Sequence, residues 1–255
     1  MHKQPVGPVL VVIAHGSRDP RHAATVHALV RRVRSLRPGL RVETGFLDFN
    51  IPSVQGVLES LAAEGVRDVV ALPLLLTRAF HAKADIPAVL RDAPRHLRIR
   101  QAEVLGPSPL LLSALERRLY EAGLTPADKS STGVVLASAG STDPEAIAVI
   151  ADIAREWRHT GWCAVRPAFA SAALPRTEDA VRELRALGCS KVAVAPYVLA
   201  PGFLPDRIAR GSAEADVLAD VLGPAPEVAR LLLRRYEEQV AAVRVPLAGR
   251  AAVSA

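Results

Sequence analysis

The chain has 255 residues, of which half are hydrophobic and 23% are charged, and its formal net charge is +6. This composition is typical of globular proteins and excludes fibrous chains and chains without a stable core. Because the positive charge comes mainly from arginine and only 4% of residues are aromatic, a polyanionic small ligand is favoured over a stacking groove for single-stranded nucleic acid.

The cysteine content and the amino-terminal segment restrict the class of protein further. Cys163 and Cys189 lack metal-ligand spacing, and we expect both to be small buried hydrophobic residues. The apolar run at residues 9–14 is only six residues long, which is too short for the core of a signal peptide or for a membrane span. We therefore expect a cytoplasmic protein that binds neither membranes nor nucleic acid.

The first half of the chain alternates between predicted strands and helices. Residues 9–14 form an apolar run typical of a buried parallel strand. Asp19 is a suitable N-cap and Pro20 a suitable first residue for the next helix, which "RPG" at 37–39 should end. The remaining elements predicted here are strands at about 41–47, 67–76 and 98–104, and helices from Pro52 and Ser53 to Gly65, over 83–92 and near 108–122.

The second half repeats the first. The stretch VLVVIAHGSRDP at 9–20 resembles GVVLASAGSTDP at 133–144, and EGVRDVVALP at 64–73 resembles LGCSKVAVAP at 187–196. Such collinear similarity is the signature of an internal repeat. The strands predicted in this half lie near 133–138, 162–168 and 191–198, with helices between them and a final helix near 225–243.

Alternating strands and helices predict an α/β fold. Each half should form a parallel β-sheet flanked by helices, with right-handed crossovers. We predict two tandem domains related by the internal repeat, residues 1–125 and 132–255, joined at the polar stretch TPADKSST.

Three side chains that can bind a metal ion follow strands of the first half. His15 comes after the first predicted strand, Asp48 after the second, and His81 lies in the loop after the third. Because ligands of open parallel sheets bind beyond the carboxyl ends of the strands, we predict that these three side chains form one site.

The second half has lost all three candidate ligands and has kept the surrounding residues. Ala139, Ser171 and Leu204 stand at the positions that correspond to the three ligands. Components of one site are expected to be lost together, whereas unrelated surface residues are not. The residues that persist are Gly16 with Gly140, Ser17 with Ser141, Asp19 with Asp143, and Pro52 with Pro175.

Two imidazoles and one carboxylate suit iron, cobalt, nickel or zinc and leave coordination positions open. We therefore predict a metal site for catalysis or exchange, and not a closed structural site. Arginine and lysine side chains nearby are suited to the carboxylates of an anionic ligand, although Arg21 and Lys83 can equally extend into water from the first turns of helices. These cations are Arg18, Arg21, Arg78 and Lys83.

Three motifs, VIAHGSRDP, GFLDFNIPSV and VVALPLLLTRAFHAKADIP, resemble the sirohydrochlorin chelatase family over nearly the whole chain. The resemblance implies insertion of Fe²⁺ or Co²⁺ into a tetrapyrrole, a lyase activity of sirohaem or cobalamin biosynthesis, in a cleft between two chelatase-like halves. It places metal-binding histidines at His15 and His81, and it places Asp48 where the family more often has glutamate. Asp48 then binds the metal or orients an imidazole.

The resemblance also implies roles for the remaining groups. Arg18, Arg78 and Lys83 would hold peripheral carboxylates of sirohydrochlorin, the second half would form a wall of the cleft, and no organic cofactor would be needed. We expect a monomer, and iron is slightly favoured because the chain has no histidine-rich tract.

Two alternatives differ in class from this one. The first is a tetrapyrrole or metal carrier without turnover. The second is a hydrolase with Ser17 as nucleophile, which is disfavoured because HGSRD lacks the second glycine of a nucleophile elbow.

Overall fold

The computed structural model describes residues 7–78 and 85–244. Its first half contains four strands and four helices in alternation, as the sequence predicts. In chain order they are β1 (Val9–Ala14), α1 (Pro20–Leu36), β2 (Val42–Phe46), α2 (Val54–Ala63), β3 (Asp68–Pro73), α3 (Ile86–Arg91), β4 (Arg98–Gln101) and α4 (Pro109–Glu121).

The second half repeats this order after a 3₁₀ helix at Pro126–Ser131, which occupies most of the polar stretch between the repeats. Its elements are β5 (Thr132–Ser138), α5 (Pro144–Arg158), β6 (Ala164–Phe169), α6 (Thr177–Ala186), β7 (Lys191–Tyr197), α7 (Phe203–Gly211), β8 (Val217–Leu218) and α8 (Pro226–Arg244).

Each half forms a four-stranded parallel sheet of the same order. The strands run β2-β1-β3-β4 in the first half and β6-β5-β7-β8 in the second. The central strands β1 and β5 are buried throughout, as expected where helices cover both faces of a sheet. The predicted α/β fold with an internal repeat is confirmed.

The predicted helix signals act as expected in the first half. The Asp19 carboxylate accepts the backbone N–H of Arg21, Pro20 is the first residue of α1, and the Ser53 hydroxyl accepts the N–H of Gly56 at the start of α2. These caps satisfy backbone donors that have no partner within the helix.

The main differences from the predicted elements occur at the ends of strands. The third strand stops at Pro73, not at residue 76, and β4 stops at Gln101, not at 104. The sequence did not predict β8, because two residues are too few to show a periodicity.

The two halves exchange helices. Helix α4 of the first half packs on β7 of the second, and α8 of the second half packs on α1, α4 and β3 of the first. One hydrophobic core therefore contains side chains of both sheets. The domain boundary at residues 125–132 stays a prediction. It separates the two repeats of the sequence, whereas their side chains pack into one core.

The prediction that both cysteines are buried is wrong for one of them. Cys189 is buried before β7, whereas Cys163 is exposed in the turn that leads into β6. Their Sγ atoms lie 3.7 Å apart. Within the described residues, no helix combines the length and the apolar character needed to cross a bilayer.

Candidate metal site at the carboxyl ends of the strands

The turn after β1 holds His15 against the loop that follows β2. The backbone N–H of Asp48 donates to the carbonyl oxygen of His15 over 2.9 Å. Gly16 follows His15 and has a φ of +95°, which other residues rarely adopt. A Cβ atom at this position would lie 1.9 Å from the carbonyl oxygen of Asp48. Glycine is thus required for the two loops to meet.

The second half contains the same backbone arrangement without the histidine and aspartate side chains. Gly140 has a φ of +93°, and a Cβ atom there would lie 1.9 Å from the carbonyl oxygen of Ser171. The Ser171 N–H donates to the carbonyl oxygen of Ala139 over 3.0 Å. The structure therefore places Ala139 and Ser171 where the first half has His15 and Asp48, in agreement with the sequence repeat.

Ser17 has a structural role in this turn. Its hydroxyl accepts the backbone N–H of Asp19 over 3.1 Å, and Ser141 accepts the N–H of Asp143 over 3.0 Å in the same way. A hydroxyl used identically in a half without the histidine supports a structural role in the turn before the helix over nucleophilic catalysis.

A side-chain contact ties the two loops together in the first half. The amide oxygen of Asn50 accepts the backbone N–H of Ser17 over 2.8 Å, and the Asn50 N–H donates to the carbonyl oxygen of Asp48 over 2.7 Å. The sequence analysis did not identify Asn50. Its distinguishing signal is that the corresponding residue of the second half is Ala173, which repeats only the backbone bond, to Ser171 over 2.6 Å.

Both His15 and Asp48 are exposed at this edge of the sheet. One carboxylate oxygen of Asp48 accepts the backbone N–H of Phe49 over 2.8 Å. The Phe49 ring lies edge-on to His15, with ring centroids 6.2 Å apart, and the guanidinium carbon of Arg18 lies 5.3 Å from the Phe49 ring centroid. His15, Asp48, Phe49 and Arg18 thus form one exposed surface.

A second histidine lies near His15 and was missed by the sequence analysis. His22, in the first turn of α1, is partly buried, and its Nδ1 atom is buried without a hydrogen-bond partner. Burial lowers the pKa of His22, and the charge of His15 lowers it further. The corresponding residue of the second half is the buried Ala146, so the repeat offered a signal for His22 as well.

Comparison with known proteins decides the family. The CbiX family model matches the chain twice, over residues 9–122 and 133–239. The chain belongs to the CbiX family. Its two matched segments are the two repeats described above.

Individual relatives agree with this family. The sirohydrochlorin cobaltochelatase of Priestia megaterium is 29% identical over 244 residues, which cover 90% of this chain and 79% of that protein. The sirohydrochlorin ferrochelatase of Bacillus subtilis strain 168 is 26% identical over 244 residues, which cover 91% and 92%. The solved structure of SirB from Bacillus subtilis with Fe³⁺ superposes with a TM-score of 0.79 at 24% identity, covering 93% of this chain and 97% of that one.

Two of the predicted cations, Arg78 and Arg21, form ion pairs with different partners. Arg78 is exposed and pairs with Glu103. Arg21 pairs with Asp19 and, over 2.6 Å, with Asp206 in the first turn of α7. This second pair joins the two CbiX repeats beside the site, so the Arg21 guanidinium does not simply extend into water.

Two predicted site residues, His81 and Lys83, lie outside the described residues. Among residues 7–78 and 85–244, no three His, Cys, Asp or Glu side chains form a group that could hold a metal ion. The described part of the chain thus brings together His15, Asp48 and Arg18 of the predicted set, and the place of His81 stays a prediction.

A cavity of about 160 Å³ is lined by residues of both CbiX repeats. None of its lining residues is a predicted site residue, and its volume is below the roughly 300 Å³ at which ligand pockets begin. It is lined by Pro107, Ser108, Pro109, Leu112, Ile153, Glu156 and Tyr197.

Proposed function

We propose that this chain is a sirohydrochlorin chelatase that inserts Fe²⁺ or Co²⁺ into sirohydrochlorin. The observation that carries the proposal is the direct contact between the His15 turn and the Asp48 loop, in a CbiX repeat whose partner repeat builds the same contact with Ala139 and Ser171. The family and the curated relatives support the same activity.

The reaction exchanges two protons for one metal ion. Two pyrrolic N–H groups of the macrocycle lose their protons as bonds form between the ion and the ring nitrogens. No electron or chemical group is transferred, so the chemistry does not call for an organic cofactor. The protein must hold the ion, strip its water and provide bases near neutral pH.

His15 and His81 are suited to both tasks. Neutral imidazole binds iron and cobalt, and once the ion has passed to the macrocycle the freed nitrogen can accept a pyrrolic proton, because its unperturbed pKa is about 6.5. In this proposal Asp48 binds the ion or orients an imidazole, while its carboxylate also holds the N–H of Phe49.

Cations at the rim would bind the carboxylates of the macrocycle. Arg18 faces the same exposed surface as His15 and Phe49, and a guanidinium can bind a carboxylate through two hydrogen bonds. In the same proposal Lys83 and Arg78 hold further carboxylates, and a substrate carboxylate would compete with Glu103 for Arg78.

The proposal includes a monomer in the cytoplasm. The exchange of α4 and α8 between the repeats lets a single chain form the continuous core. Two free thiols 3.7 Å apart are compatible with a reducing compartment.

The test is metal insertion with sirohydrochlorin in large excess over the protein, followed by absorbance. We expect multiple turnovers with Co²⁺ or Fe²⁺, and a loss of at least tenfold in His15→Ala and His81→Ala. His159→Ala, an exposed histidine of the second repeat, and Ser171→Ala should keep the full rate. Binding without turnover would favour the carrier, and full activity of His81→Ala would contradict its role.

A further inference from the structure

Phe49 has a backbone conformation that is unusual for its size. Its φ is +60°, in the left-handed region that bulky residues rarely adopt. The corresponding residue of the second repeat is Ala172, with a φ of +61°. The fold therefore needs this conformation in both repeats, but it does not need an aromatic ring to form it.

The ring of Phe49 is not buried in return for this strain. Phe49 is 49% exposed, so about half of the surface of this residue stays in contact with water. The ring is thus an addition of the first repeat, in the same loop that carries Asp48.

The contacts of Phe49 fix its ring beside the candidate metal ligands. The Asp48 carboxylate holds the Phe49 N–H, His15 meets the ring edge-on, and the Arg18 guanidinium lies 5.3 Å from the ring centroid. An aromatic ring in contact with both an imidazole and a guanidinium places an apolar surface next to a candidate metal ligand and a carboxylate-binding group.

Most of the large exposed apolar side chains follow the carboxyl ends of strands, in both repeats. Of the seven large hydrophobic residues that are exposed in the described part of the chain, four lie in the segments that follow the carboxyl ends of strands. Isolated exposed apolar residues are ordinary, whereas their recurrence after the carboxyl ends of strands, where ligands of parallel sheets bind, indicates a binding surface. The four are Phe49 (49% exposed), Ile51 (88%), Leu174 (72%) and Phe203 (71%).

We propose that Phe49 is a substrate-binding residue whose ring contacts the conjugated face of the tetrapyrrole while Arg18 binds one of its peripheral carboxylates. This inference rests on the proposed function and names how the substrate is recognised. A flat conjugated macrocycle with charged edges matches an apolar ring flanked by a cation. An open-chain polycarboxylate would satisfy Arg18 but would leave the ring without a partner.

The experiment measures binding of metal-free sirohydrochlorin and binding of Co²⁺ alone, as two separate titrations. Phe49→Ala gives the first repeat the residue that the second repeat already has, so we expect it to fold with an unchanged or slightly higher Tm. Its Kd for sirohydrochlorin should rise about tenfold, which corresponds to about 1.4 kcal/mol, while its Kd for Co²⁺ stays unchanged. Phe49→Trp should restore sirohydrochlorin binding, since it keeps an aromatic face.

Leu36→Ala is the matched control. Leu36 is also 49% exposed, but it ends α1 at the opposite edge of the sheet, and its substitution should leave both Kd values unchanged. Wild-type affinity of Phe49→Ala for sirohydrochlorin would overturn this inference and leave the proposed function standing. Failure of the wild-type protein to bind sirohydrochlorin would overturn both.

Discussion

The backbone N–H of Asp48 lies 2.9 Å from the carbonyl oxygen of His15, and Gly16 packs against the carbonyl group of Asp48. The loops that carry two of the predicted metal ligands are therefore held together by the backbone itself. The position of each ligand depends on the fold of the other's loop, so a change in the turn should affect the fold and the site together.

Gly16→Ala tests this packing. The added Cβ would lie 1.9 Å from a backbone oxygen that cannot rotate away, so we expect a loss of about 3 kcal/mol or more in the free energy of unfolding and weaker binding of Co²⁺. Gly65→Ala is the control, because Gly65 has a φ of +81° and open space around its Cβ position, and it should cost only about 1 kcal/mol. Equal costs in urea unfolding would contradict the predicted clash.

Asn50→Ala tests the side-chain contact between the loops. The variant leaves the Ser17 N–H without its partner, so we expect a loss of about 1 kcal/mol in stability and up to about tenfold weaker Co²⁺ binding. Ala173 at the corresponding position shows that the fold accepts alanine there. Gln55→Ala removes a contact with Glu59 on the outside of α2 and should leave Co²⁺ binding unchanged. Unaltered metal affinity in Asn50→Ala would mean that the contact does not position the site.

Asp206→Asn tests the ion pair between the repeats. Arg21 and Asp206 are about half exposed, and such surface pairs contribute between about 0 and 1 kcal/mol. We expect a loss of less than about 1 kcal/mol at low salt, which disappears at about 1 M salt because the charges are screened. Asp68→Asn, which removes a pair with Arg98 within the first repeat, should behave alike. A loss that persists at high salt would contradict a purely ionic role.

Asp128 should make stability depend on pH in the acid range. The side chains of Lys191 and Thr125 and the Thr125 backbone N–H bind its carboxylate and lower its pKa from 3.8 to about 2. Because the folded pKa is depressed, the unfolded chain takes up the proton first, so the stabilisation is present above pH 3.8 and is lost as the pH falls through about 2.

The measurement compares Asp128→Asn with the wild-type protein by denaturant unfolding. The wild-type protein should be more stable at pH 5, and the difference should shrink as the pH falls from about 4 to about 2. Asp152→Asn, which removes an exposed carboxylate paired with Arg155, is the control for the loss of a surface charge. A constant difference between Asp128→Asn and wild type across this range would contradict the pKa.

The sequence predicted the α/β repeat and the loop positions of His15 and Asp48 because both follow from local patterns. Strand β1 is a continuous apolar run, and the sequence Asp19-Pro20 is a typical start of a helix. The comparison of the two repeats identified Ala139 and Ser171 as the corresponding positions, since both halves share one backbone.

What the sequence could not predict depends on tertiary contacts. The packing of α8 on the first repeat, the role of Asn50 as an acceptor and the place of the Phe49 ring all require residues distant in the chain to be brought together. In the alignment of the two repeats, His22 and His27 both correspond to alanines, Ala146 and Ala151. The repeat alone therefore did not distinguish a histidine near the candidate site from one outside it.

The central claim is that His15 and His81 bind one metal ion at the carboxyl edge of the first sheet. The most direct test is anomalous diffraction at the cobalt edge from crystals of the wild-type protein soaked in Co²⁺. We expect one strong peak with a ring nitrogen of each histidine about 2.1 Å away, a distance typical of metal–imidazole bonds, and no corresponding peak beside Ala139. A cobalt ion bound elsewhere, or two imidazoles too far apart to share it, would contradict the claim.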